Sequence, residues 1–149
     1  MRMTLESNYA IRIVELLADT GEKIDAKTIA EEGDIPLRFC LKILRKLAAD
    51  DIIVSFKGSK GGYMLNGKPE DITLRRVIEA VEGPFIISKC QGQAFSCNKQ
   101  HCRLHNIYAE ISQSMRDKLE SYNFGELVKT DCSGSRCSGS VHSEEDENK

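Results

Sequence analysis

No run of apolar residues in this chain approaches the roughly 20 that a bilayer-spanning helix needs, which excludes a membrane span. The amino terminus carries Glu6 and Asn8 where an export signal would be apolar, so a cytoplasmic location is expected. Basic charge is not in excess: the net charge of −2 argues against sequence-independent coating of nucleic acid. Histidine is scarce. His101 and His105 fall in a cysteine-rich segment and His142 in the tail, no nucleophile–base pair stands out, and no enzyme is expected. Without an export signal, the 6 cysteines should be thiols or metal ligands rather than disulfides.

At 149 residues and 40% apolar content the chain can bury one good core plus an extension. Charge is unevenly spread. Between Pro36 and Lys60 lie Arg38, Lys42, Arg45, Lys46, Lys57 and Lys60 against only Asp50 and Asp51. The carboxyl end is acidic through Glu144, Glu145, Asp146 and Glu147, follows a Ser/Gly-rich stretch from Ser133 to Ser140, and is expected to be disordered.

Tyr9, Ile13, Leu16 and Leu17 share one face of a helix over Leu5–Ala18, ended by Gly21. Asp25 suits the N-cap of a short helix through Thr28, Ile29 and Ala30, ended by Gly33. Pro36 then opens a helix to about Ala49, as its fixed φ fits a first helical position. Leu37, Cys40, Leu41, Leu44 and Leu47 form its expected buried stripe, which makes Cys40 a small core side chain. Arg38, Lys42 and Arg45 face outward. Two helices joined by a tight turn, the second basic outside, form a helix-turn-helix candidate for double-stranded DNA.

Ile52, Ile53, Val54 and Phe56 read as a strand, and Tyr63, Met64 and Leu65 as its return. The connecting loop is glycine-rich and carries Lys57 and Lys60 at its tip, which suits a wing lying along a phosphate backbone. A nucleotide-binding loop would need a strand before it and a helix after it. Thr73 caps a helix bearing Leu74, Val77, Ile78 and Val81, closed by Gly83 and Pro84. A long helix from about Cys102 to Tyr122 carries Leu104, Ile107, Tyr108, Ile111, Met115, Leu119 and Tyr122 along one face. Spanning roughly 30 Å, it is long for so small a domain and is expected to pack against its own copy in a homodimer. Asn123 and Glu126 cap a short helix through Leu127 and Val128. The expected fold is therefore mainly α with a small β-wing: a winged helix-turn-helix over 1–83, a cysteine loop and dimerisation helix over 84–130, and a tail over 131–149.

Cys90, Cys97, Cys102 and His105 lie close together at the junction between two helices. Thiolates are soft ligands that select zinc, copper(I) or iron-sulfur clusters, and imidazole can complete the set. Spacing alone leaves a Cys3His zinc site and a cluster nearly tied.

Helix, helix-turn-helix, a wing with Gly61-Gly62-Tyr63, a cysteine loop and a long helix, in that order, resemble the Rrf2 family of bacterial winged-helix regulators, from Met1 to about Val128. The most specific likeness is Cys90-Gln91-Gly92, Cys97 and Cys102-Arg103-Leu104-His105. It implies an iron-sulfur cluster on Cys90, Cys97, Cys102 and His105, as in IscR-like members with a 2Fe-2S cluster, and a DNA surface of Arg38, Lys42, Arg45, Lys57 and Lys60. In NsrR-like members a carboxylate from the partner's first helix completes a 4Fe-4S site. The matching position here is Asn8, with Glu6 of the partner subunit as the alternative to His105. The wing carries Lys57 where many members have arginine. The other reading is a regulator with a structural zinc or thiol site, controlled by a partner protein or metabolite. Cys132 and Cys137 in the tail have no scaffold to preorganise a site.

Overall fold

The computed structural model describes residues 3–92 and 102–129. Helices α1 (Leu5–Thr20), α2 (Ala26–Glu32) and α3 (Leu37–Ala49) lead into an antiparallel hairpin, β1 (Ile53–Phe56) and β2 (Gly62–Leu65). α4 (Leu74–Glu82), α5 (Arg103–Glu120) and α6 (Phe124–Lys129) follow, with one-turn 3-10 helices at Pro69–Asp71 and Lys89–Gln91. This is the mainly helical winged helix-turn-helix with a long carboxyl-terminal helix that the sequence pattern predicts.

The helix ends follow local chemistry. Asp25 accepts hydrogen bonds from the Lys27 and Thr28 amides at the start of α2, and Thr73 accepts from the Arg76 amide at the start of α4. The Glu126 amide donates to the Asn123 side chain (3.0 Å) at the start of α6. Gly21 closes α1 in the left-handed region at φ 64°. At the end of α2, however, Gly33 stays right-handed and the reversal falls on Asp34, at φ 50°. Pro36 precedes α3 as its N-cap with extended ψ instead of occupying the first helical position.

The core gathers Ala10, Ile13, Val14 and Leu17 of α1, Ile29 of α2, Cys40, Ile43, Leu44 and Leu47 of α3, and Val77 and Val81 of α4. Its largest fully buried side chain is Phe124 of α6, so the last described helix completes the core of the first three. The chain returns there by pairing Leu74 N–H with Tyr122 O and Phe124 N–H with Ile72 O, both at 3.0 Å.

The α3 stripe differs from the expected one. Ile43 is buried, Leu41 is half-buried and Leu37 is 46% exposed. Apolar residues at 37, 40, 41, 43, 44 and 47 allow two overlapping stripes, and packing against α1, α2 and α4 selects Cys40, Ile43, Leu44 and Leu47.

The hairpin pairs Ile53 with Leu65 and Phe56 with Gly62. A further bridge joins Tyr63 to Ile24, the segment before α2, through hydrogen bonds of 3.0 and 2.8 Å. A Cβ at Gly62 would lie 2.8 Å from Ile24 O, so this close backbone approach requires glycine.

Candidate nucleic-acid interface and metal centre

On the outer side of α3, Arg38, Lys42 and Arg45 line one open concavity together with Leu37, Phe39 and Leu41. Lys57 and Lys60 stand exposed in the loop joining β1 to β2, which is folded back by a Gly61 N–H to Gly58 O bond of 2.9 Å. At the base of this wing the Lys23 ammonium sits 5.4 Å from the Phe56 ring centroid.

Not every cation of this segment is free to meet a ligand. Lys46 turns inward, 2.7 Å from Glu6 Oε1, and donates to Val81 O at 2.8 Å. Lys42 Nζ lies 3.3 Å from Glu6 Oε2. The Lys46 hydrogen bond holds the Glu6 carboxyl below the usual carboxylate range; burial opposes the shift and Lys42 reinforces it. A carboxylate with a depressed pKa stabilises the fold at neutral pH, and this contribution is lost as pH falls through the depressed value. Among the described residues Arg38 and Arg45 have no acidic partner. This Glu6 clasp ties α3 to α1 and to the end of α4, and no sequence spacing announces it, since it joins positions 35 or more residues apart.

A second junction lies beside it. Glu82, at the end of α4, accepts from the Thr4 amide, the Thr4 hydroxyl and the Ser7 hydroxyl. Burial alone would raise the Glu82 carboxyl, but these bonds outweigh it and hold the group below its ordinary value. From here the chain leads into the cysteine segment.

Cys90 sits half-buried on the one-turn helix Lys89–Gln91, its thiol 3.2 Å from the Ser88 hydroxyl. This turn is fixed to α5. Gln91 Oε1 accepts from the Ile87 amide (3.0 Å) and from the buried Ser112 hydroxyl (2.9 Å), and Arg116 donates to Phe85 O at 2.8 Å. Cys102 is the half-buried N-cap of α5 with no side-chain capping bond. His105 is exposed on the first turn, its amide bonded to Cys102 O at 3.1 Å. Cys97 and His101, and Cys132, Cys137 and His142 of the expected tail, lie outside the described residues. Among the described residues the cysteines are free and no three metal-ligating side chains come together. Cys40 is fully buried, and burial pushes its thiol up to about 11, so it stays a neutral core group.

By residue type, thiolates with an imidazole suit a soft-metal centre. Cys90 and Cys102 flank the segment that contains Cys97, each held by an ordered element.

The long helix divides its expected stripe in two. Tyr108 and Leu119 are half-buried against their own chain, while Leu104, Ile107, Ile111, Met115 and Tyr122 remain exposed. No helix among the described residues is long and apolar enough to cross a membrane.

Comparison with known proteins agrees with this architecture. Residues 3–130 match the family model "Rrf2: Iron-dependent Transcriptional regulator". The chain is 28% identical over 131 residues to the HTH-type transcriptional regulator IscR of Vibrio atlanticus (strain LGP32), covering 87% of this chain and 76% of that protein. Among solved structures it is similar to CymR (YrzC), the global cysteine regulator of B. subtilis (TM-score 0.71, 19% identity, 87% and 97% of the two chains). It is likewise similar to T. potens IscR (TM-score 0.70, 18% identity, 87% of each chain). With a family model spanning all the described residues and a winged helix that presents a basic face, the chain belongs to the Rrf2 family and is a DNA-binding transcriptional regulator, not an enzyme.

Proposed function

We propose that the protein is a homodimeric regulator whose operator binding is controlled by an iron-sulfur cluster held by Cys90, Cys97, Cys102 and His105. The observation that carries this reading is the anchored pair of half-buried thiols, Cys90 and Cys102, on either side of Cys97. His105 is preferred to Glu6 of the partner subunit as the fourth ligand, because the Glu6 carboxylate is engaged by Lys42 and Lys46 of its own chain. The likeness to IscR-like members favours 2Fe-2S over 4Fe-4S. When bound, such a cluster supplies a charge that changes with redox state and with loss of the metal.

The chain's own bonds offer a route from this site to DNA. The Cys90 turn is tied to Ser112 of α5, the segment before it to Arg116 through Phe85 O, and Tyr122, just past the end of α5, to Leu74 at the start of α4. The end of α4 holds Lys46 of α3. A displaced cysteine segment is therefore felt at α3. In this reading α3 enters the major groove while Lys57 and Lys60 lie on the phosphate backbone.

Anaerobic purification followed by iron, sulfide and absorption measurements tests the metal. Iron and sulfide with visible colour support it; a colourless protein carrying zinc, or no metal, favours a structural or thiol site.

The DNA surface has its own test. Arg38→Ala should cost about 1 to 3 kcal/mol at the specific site and relax preference there, since arginine reads base edges. Lys60→Ala should weaken binding to all sequences alike and lower the salt slope by about one unit. Filter binding across a salt series distinguishes the two. Variants that bind specific and random DNA as the wild type does would place the DNA surface elsewhere.

A further inference from the structure

The outer face of α3 carries more than charge. Leu37 is 46% and Phe39 50% exposed, and Leu41 is half-buried, although the inward stripe of Cys40, Ile43, Leu44 and Leu47 already fills the core. At about 3.6 residues per turn, Arg38, Lys42 and Arg45 centre the outward face. Leu37 and Leu41 flank them on one side and Phe39 on the other. All six line the same concavity, and no acidic side chain does.

An occupant of this surface must be anionic and must also offer small apolar features beside hydrogen-bond acceptors. A second copy of α3 would bring the same cations against these cations. The major groove of duplex DNA meets the requirement: its phosphates are anionic, guanine presents acceptors to arginine, and thymine alone presents a C5-methyl group.

We propose that Leu37, Phe39 and Leu41 read thymine methyl groups, so that each operator half-site carries thymines beside the bases met by Arg38 and Arg45. The proposal rests on α3 lying in the major groove, and it makes the apolar side chains determinants of specificity alongside the arginines.

The test begins with duplexes selected from a random pool by the full-length protein. Each thymine of a selected duplex is then replaced in turn by deoxyuridine, which removes only the methyl and leaves pairing intact. At one or more thymines per half-site, wild-type affinity should fall about fourfold, the worth of one buried methyl group. Leu37→Ala, Phe39→Ala or Leu41→Ala should bind the thymine duplex more weakly and become indifferent to deoxyuridine at the matching position. Circular dichroism checks that each variant remains folded.

Wild-type affinity unchanged at every deoxyuridine position would overturn the proposal while leaving DNA binding intact. Penalties that persist in all three variants would assign the methyls to other side chains and overturn it as well. A Phe39→Ala variant altered in sedimentation but not in its response to deoxyuridine would make the patch a protein interface. If no preferred duplex emerges, the placement of α3 in the groove fails, and the proposal with it.

Discussion

Cys97→Ala should abolish most of the bound iron and the visible absorption of anaerobically purified protein, and Cys90→Ala and Cys102→Ala should do the same. Each removes one thiolate from a set of only three, and imidazole or water in its place is a weaker ligand for cluster iron. Cys40→Ala should leave iron and colour largely intact, because that thiol is buried in the core and held neutral. His105→Ala should give a graded result, a cluster that still assembles but is lost sooner, since the imidazole stands exposed on the first turn of α5. Iron per protomer and the absorption spectrum decide the matter. Equal iron in wild type and Cys97→Ala would remove that residue from the site.

Ile111→Glu should convert a dimer to a monomer that has lost specific DNA affinity. Leu104, Ile107, Ile111 and Met115 form an apolar strip on α5, with Tyr122 just beyond its end, that the described residues leave exposed. Twofold packing of α5 on its copy would bury that strip and bring the two Ile111 side chains near the axis. A carboxylate there would be buried without a partner and would face its own copy, a cost of several kcal/mol. Ile111 is 45% exposed within the protomer, so the fold of α3 and the thermal transition of the monomer should change little. Affinity should fall because one reading head then contacts one half-site, whereas a dimer engages two about 34 Å apart. Sedimentation velocity reads the assembly and anisotropy with a selected duplex reads the binding. A variant that stays dimeric refutes the interface.

Features set by neighbours in sequence were legible without a structure. The caps Asp25, Thr73 and Asn123 act on amides two or three residues away, and the lysine-tipped glycine loop marks the wing by composition alone. Features set by packing between distant segments were not. Phe124 belongs to no periodic stripe in the sequence, yet it fills the core because the chain pairs back to Ile72. The Tyr63 bridge to Ile24 and the Glu6 clasp on Lys42 and Lys46 likewise join segments that only the tertiary fold brings together. On α3 the sequence was ambiguous rather than silent: leucines at 37 and 41 competed with Ile43 for the inward face, and packing chose Ile43. The cysteine motif is legible as a set of soft ligands by residue type and spacing, and the folded segments add what spacing lacks, the anchoring of Cys90 to Ser112 through Gln91.

Binding of one selected duplex by holo and apo protein, measured side by side under anaerobic conditions, bears most directly on control of DNA binding by a cluster. The two forms should differ at one operator or more by about 1 to 3 kcal/mol, roughly 5- to 150-fold in affinity, the usual coupling between linked sites. Identical affinities of holo and apo protein at every selected operator would contradict it.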